Sequence, residues 1–269
     1  MIRLELTWED WSACVVAVSS GRRFVYTPRN LFYEALRRAP FVPPTIDPDA
    51  ELEIFCAALA RHERSSGPLP GLIRSRDVSD ASVAPDAVTP APDVFDYAVR
   101  RVLVFERLDT LLLFSGNGFH RTIGIGLVVH GNGDPIVEDG NMLGFPRHIW
   151  RCLIRQLRSG LRTTFYAVHD CTASGYAMAG RLRTALAGFE RARVADVGLT
   201  FPQAFELGAP VWRSLAMATP IDSSVGVNPE EQLLLAEGNY LHLEQLRPLD
   251  AMRWVHGRVA RRSEEAGFR

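Results

Sequence analysis

Apolar positions recur at helical spacing through the first third of the chain, then give way to short apolar runs alternating with helical stripes. In "LTWEDWSACVVAVSS", Trp8, Trp11, Val15 and Val18 fall three or four residues apart, Thr7 stands at the N-cap position and Asp10 completes a capping box. "TPRNLFYEALRR" predicts a second helix, with Thr27 as N-cap, Pro28 in the first turn and Pro40 beyond its end. "IDPDAELEIFCAALARH" repeats the device: Asp47 and Pro48 start it, and Leu52, Phe55 and Leu59 form its apolar stripe. Three helices followed by the Gly/Pro-rich "GPLPGLIRSRD" predict a winged-helix-like module over residues 1–77, that segment being its wing. Residues 78–94 are small, Pro-rich and acidic, with nothing to build a core from, which predicts a linker or exposed loop.

From about residue 99, "RRVLVFE", "IGLVVHGNG", "TTFYAVHD" and "ARVADVGL" read as buried strands, with "FPRHIWRCLIRQL" and "SGYAMAGRLRTAL" as helices between the later ones. This alternation predicts an α/β domain with a parallel sheet over residues 95–269, whose sites lie beyond the C-terminal ends of the strands. Those ends carry Glu106, His130 with Gly131–Asp134, Asp170 with Thr172, and Asp196. The tail, "NPEEQLLLAEGNYLHLEQLRPLDAMRWVHGRVARR", predicts two further helices around a Gly238–Asn239 turn, a C-terminal helical extension.

Composition narrows the function classes. A chain of 269 residues can bury one sizeable core or two small ones, and 47 % hydrophobic with 23 % charged residues matches an ordinary soluble globular protein. No apolar run approaches the roughly 20 residues that span a bilayer, so no membrane segment is expected. The N-terminus is acidic where a signal peptide is basic, so a cytoplasmic location is expected. Cys14, Cys56, Cys152 and Cys171 are far apart and form no C-x-x-C pair, which argues against a zinc knuckle or a disulfide framework. The net charge of −1 gives no global attraction to nucleic acid, yet all 30 basic residues are arginine. A guanidinium fork can hold two phosphate oxygens, so local clusters carry more meaning than the total. Arg22, Arg23, Arg37 and Arg38, which flank the second helix, and Arg147, which begins a later one, are candidate DNA-phosphate contacts; a solvated basic face is the alternative.

Glu106 and Asp170 end two strands of the sheet, and two carboxylates at adjacent strand ends can converge on one Mg2+ ion. Magnesium takes hard oxygen ligands, often only one or two carboxylates from protein, and leaves its other positions to water and phosphate. This pattern resembles the Toprim domain of type II topoisomerases, bacterial primases and related nucleases, which has a glutamate ending its first strand and Asp-x-Asp followed by Gly after its third. The matching residues are Glu106 in "VLVFE", and Asp170 and Gly175 in "HDCTASG", with Thr172 in place of the second aspartate. "GNGDP" followed by "PRHIWRCLIRQL" resembles the Gly-x-Pro segment and Arg-bearing helix of the topoisomerase VI A subunit.

The narrower resemblance implies a winged helix before the Toprim domain and a nucleophilic tyrosine in an Arg-x-[Ile/Leu]-[Tyr/Phe]-Tyr motif, matched here by Arg29, Leu31, Phe32 and Tyr33. Helical geometry places Leu31, Phe32, Ala35 and Leu36 on a buried face, and Arg29, Tyr33 and Arg37 on another. The resemblance further implies transesterification of double-stranded DNA by Tyr33, with Arg29 orienting it or binding phosphate. Glu106, Asp170 and Thr172 are the positions that would hold Mg2+ or Mn2+. A homodimer is implied because tyrosine and metal come from different subunits, and a separately encoded ATPase partner because the chain has no P-loop.

Two alternatives stay open. "NPEEQLLLAEGNYLHLEQLRPLD" is similar to a segment of the Toprim nuclease subunit of Wadjet-type plasmid-defence systems, which implies metal-dependent hydrolysis with Tyr33 structural. Thr172 removes a carboxylate from the site, so a DNA-binding or assembly subunit that keeps the Toprim core as scaffold is the third reading. Each residue also has a plainer role: Tyr33 as a packed boundary residue, Glu106 in an ion pair with Arg147 or Arg151, and Asp170 or Thr172 as the cap of the helix near Ala173.

Overall fold

A computed structural model describes residues 6–39, 47–74, 99–130, 147–214 and 227–265. Its first helices, α1 (Trp8–Val18), α2 (Pro28–Arg38) and α3 (Pro48–Ser66), begin where the capping chemistry dictates. Thr7 and Thr27 each accept the amide three residues on, and Asp10 and Asn30 return the bond as complete capping boxes. Asp47 accepts the Asp49 and Ala50 amides at the start of α3. The three helices enclose a core of Trp11, Val15, Leu31, Phe32, Phe55 and Leu59, which Tyr240 joins from the far end of the chain. Within the segment read as a wing, Leu72 forms one isolated parallel bridge with Tyr26. Its continuation and the 78–94 segment lie outside the described residues.

The sheet consists of β1 (Arg101–Phe105), β2 (Gly126–Val129), β3 (Thr163–Val168) and β4 (Ala192–Asp196). All neighbours are parallel, in the order β2-β1-β3-β4, so the fold is α/β as the alternation predicts. Parallel strands covered on both faces read as continuous apolar runs, and every residue of β3 is buried. The side chains alternate between two cores. Leu103, Phe105, Tyr166 and Val168 face one, and Val102, Val104, Phe165 and Ala167 face the other.

The crossovers supply the covering helices: α4 (Leu108–Gly116) and α5 (Phe119–Ile123) between β1 and β2, α6 (Arg147–Arg158) before β3, and α7 (Ala173–Leu186) before β4. The first two go beyond the sequence reading, because "LDTLLLFSG" has no polar stripe and no side-chain cap to mark a start. After β4 come α8 (Phe201–Glu206), β5 (Trp212–Arg213), α9 (Pro229–Ala236), β6 (Asn239–Tyr240), a 3-10 turn at Leu243–Gln245 and α10 (Pro248–Glu265). The predicted turn forms with Gly238 at φ +82°, the left-handed region that favours glycine. Among the described residues no helix is long and apolar enough to cross a membrane.

Residues 239–246 join the two halves of the molecule. β6 pairs with β5, Leu241 exchanges both backbone hydrogen bonds with Cys171 at 2.8 and 3.1 Å, and Asn30 donates to the Glu244 carbonyl at 2.9 Å. Helix α2 therefore rests on a strap that also touches the C-terminal end of β3.

Candidate functional site

Register brings Glu106 and Asp170 together. Phe105 pairs with Val168, so the residues that follow each strand emerge side by side. The Asp170 amide donates to Glu106 Oε2 at 3.0 Å, and the Ser174 hydroxyl donates to Glu106 Oε1 at 2.7 Å. Asp170 is buried, and both its carboxylate oxygens accept: Oδ1 from the Leu243 amide at 2.7 Å, Oδ2 from Arg107 Nε at 2.6 Å. The Arg107 guanidinium and the Leu243 amide both favour the carboxylate form of Asp170. Burial and the neighbouring Glu106 charge leave its pKa raised, against the pull of Arg107 and the Leu243 amide.

Thr172 is the N-cap of α7, its Oγ1 accepting the Gly175 amide at 3.1 Å. Gly175 permits this close approach of helix to strand end. A Cβ there would lie 2.4 Å from the Asp170 carbonyl oxygen and 2.9 Å from Glu106 Oε2.

These residues do not fit a divalent ion as they are arranged. Magnesium needs carboxylate oxygens whose charge is not already compensated, whereas the Arg107 guanidinium sits on Asp170 Oδ2 at 2.6 Å, where a cation would approach. Thr172 is neutral, buried and engaged as a cap. Among the described residues, no group of three or more His, Cys, Asp or Glu side chains is disposed to hold a metal. Asp109 lies 3.9 Å from Arg29 Nε, and His130 is buried at the end of β2 with its amide on the Phe105 carbonyl. Asp134 and the side chains of Arg147 and Arg151 lie outside the described residues.

Helix α2 departs from the two-faced expectation. Arg29 through Leu36 are all buried, because the face carrying Arg29 and Tyr33 is covered by the strap. Tyr33 is 2 % exposed, and its hydroxyl lies 2.7 Å from His242 Nδ1. The other ring nitrogen, Nε2, faces Arg107 Nη2 at 3.3 Å. A guanidinium donor faces each ring nitrogen, Arg107 at Nε2 and Arg29 Nη1 at Nδ1 at 3.5 Å, so the neutral ring accepts on one side and Nδ1 shares its hydrogen bond with the tyrosine hydroxyl. Burial, with Arg107 and Arg29 alongside, holds His242 well below the usual imidazole range, so the ring is neutral. Burial likewise raises the Tyr33 phenol, with Arg29 acting in the opposite direction.

The candidate arginines divide. Arg29 Nη2 pairs with Asp49 at 3.0 Å and its Nη1 lies 3.5 Å from His242. Arg37 and Arg38 are tied to the buried Glu34 at 2.6 and 3.4 Å, Arg247 joins them at 3.1 Å, and Arg37 also donates to the Gln245 carbonyl. Arg22 and Arg23 are exposed and line a cleft of about 290 Å3 with Phe24, Pro70 and Asn117. Sequence reasoning passed over Arg107, His242 and Glu244, which complete the cluster. The Thr110 hydroxyl donates to Glu244 Oε1, and buried Glu244 Oε2 has no hydrogen-bond partner.

A second ion pair supports the same corner. His169 is wholly buried, with Nδ1 2.7 Å from the Asp170 carbonyl oxygen and Nε2 3.0 Å from Asp196 Oδ1. Both partners accept, so both nitrogens donate and the ring is an imidazolium. Burial opposes that charge, but the bond and charge of Asp196 outweigh it and raise the His169 pKa. Burial also opposes the Asp196 carboxylate, and His169, with the Gly198 amide and Arg183, holds its pKa well below the usual range.

The pair sets a pH window. The His169 contribution is complete below its ordinary pKa of 6.5 and is lost as pH rises through the raised folded value. The Asp196 contribution is complete above its ordinary 3.8 and is lost as pH falls through the lowered value. The Tm difference between wild type and Asp196→Asn is therefore expected to be largest between those two ordinary values, and to shrink on the alkaline side as His169 deprotonates. A difference independent of pH from 5 to 10 contradicts the imidazolium assignment.

Comparison with models of protein families, with curated proteins and with solved structures gives no match.

Proposed function

We propose that the chain is a double-stranded-DNA-binding or assembly subunit on a Toprim-like frame, akin to the topoisomerase VI A subunit, whose cleavage-motif residues serve as a structural joint. One observation carries this reading: buried Tyr33, His242 and Asp170 are joined through half-buried Arg107 in one unbroken chain of polar contacts, at 2.7, 3.3 and 2.6 Å. A nucleophilic hydroxyl must reach a phosphate and give up its proton. This one is 2 % exposed and tied to a buried neutral imidazole. The acidic corner that would face phosphate is already compensated by Arg107. DNA recognition rests on the resemblance of the helical module and on Arg22 and Arg23, exposed beside it.

The test pairs binding with cleavage. Duplex DNA is expected to bind with a salt dependence whose slope falls by about 1 for each of Arg22→Ala and Arg23→Ala. Supercoiled plasmid with Mg2+ or Mn2+ is expected to stay intact, with no tyrosyl adduct. Cleavage that disappears in Glu106→Gln overturns the reading.

The 2.7 Å Tyr33–His242 contact favours a second reading, strand cleavage by Tyr33 after the strap withdraws. It brings with it the homodimer and the separately encoded ATPase partner. Covalent adducts lost in Tyr33→Phe distinguish it. Cleavage that survives Tyr33→Phe and fails in Glu106→Gln marks instead a hydrolytic nuclease of a plasmid- or phage-defence complex.

A further inference from the structure

Carboxylates gathered at strand ends require a counter-charge, and in low dielectric the requirement is severe. Asp170 and Glu244 are both buried, and Glu106 is half-buried beside them. Glu244 Oε2 has no hydrogen-bond partner within this cluster. A bound divalent ion is one solution, because it is the largest local charge wherever it sits. This chain uses another. Arg107 follows Glu106 directly, and its guanidinium reaches back across the corner to Asp170 Oδ2 while its far nitrogen fixes His242. Its side chain is 22 % exposed against 3 % for Asp170, so the charge is delivered from the solvent side of the carboxylate.

The guanidinium also occupies the approach to Asp170 Oδ2. Asp170 Oδ1 is held by the Leu243 amide, and the two oxygens of Glu106 by the Asp170 amide and the Ser174 hydroxyl. A metal ion would have to displace the guanidinium to reach Asp170 Oδ2 from that side. We propose that Arg107 is the permanent counter-cation of the Glu106–Asp170 corner, filling the place of a divalent ion. Wild-type protein is then metal-independent, and loss of the Arg107 charge turns the corner into a divalent-cation site. This holds whether or not the chain binds DNA.

The test uses Mn2+ alone on the full chain, read by the electron-paramagnetic signal of free Mn2+ and by the shift of Tm with Mn2+. Wild type and Arg107→Lys are expected to take up none at the corner. Arg107→Gln is expected to bind one Mn2+ about tenfold or more tighter than wild type, since an adjacent opposite charge shifts such equilibria by one to three decades. That binding is expected to vanish when Asp170→Asn is added. Arg107→Met provides the same charge removal if the glutamine variant misfolds. The proposal is overturned if wild type binds Mn2+ in a manner abolished by Asp170→Asn, or if folded neutral variants at 107 gain no site. DNA binding measured on the same wild-type sample is a separate readout, so failure of the counter-cation proposal and failure of the DNA-binding reading appear in different experiments.

Discussion

Replacing Arg107 by alanine is expected to lower stability by about 3–5 kcal/mol, the cost of leaving one partner of a buried ion pair uncompensated. Asp170 would keep only the Leu243 amide, and its second oxygen would lose a charge-assisted bond of 2.6 Å. His242 would lose its donor at Nε2. For a chain of this size, each kcal/mol corresponds to about 2–4 °C in Tm. Urea unfolding of wild type, Arg107→Gln, Asp170→Asn and the double variant checks the argument. The single variants are expected to be much less stable than wild type and the double variant to recover part of the loss, because removing both charges leaves none stranded. Losses of less than about 1 kcal/mol in the single variants would match an exposed pair and contradict the buried assignment.

Gly198→Ala is expected to abolish soluble folding or to cut Tm severely. A Cβ at 198 would lie 2.0 Å from His169 Nε2, on a ring with no exposed atom and both nitrogens engaged. Overpacking alone costs about 1–3 kcal/mol, and displacing the ring also breaks the pair with Asp196. Gly175→Ala acts similarly, because the nearest atom to its Cβ is the Asp170 carbonyl oxygen, part of the backbone, at 2.4 Å. The matched controls are Gly180→Ala in α7 and Gly257→Ala in α10, where nothing lies within 4 Å of the new methyl. Both are expected to stabilise by about 0.5–1 kcal/mol through helix propensity. Thermal melts of the four variants make the comparison, and equal effects across them would remove the packing argument.

Local rules made part of this structure legible. The caps at Thr7, Thr27 and Asp47 and the buried strand runs follow from residues within a few positions of one another. Thr172 was readable as a cap for the same reason, and its hydroxyl accepts the Gly175 amide. Helix α4 was hidden because an almost wholly apolar segment shows no periodicity. The joint was hidden for a different reason: Tyr33 and His242 are 209 residues apart and Arg107 and Asp170 are 63 apart. The helical wheel separated Tyr33 from the apolar stripe but gave no information about what covers it. One signal was available, the polar residues His242 and Glu244 alternating with Leu241 and Leu243 in "YLHLEQL", a pattern that a buried polar strap shares with an exposed strand.

A crystal of the wild-type protein soaked in Mn2+, with data collected at the manganese edge, tests the central claim most directly. The account predicts no anomalous peak between Glu106 and Asp170, Arg107 still seated on Asp170, and Tyr33 still on His242. A manganese peak bridging the two carboxylates, with Arg107 swung away, would contradict it.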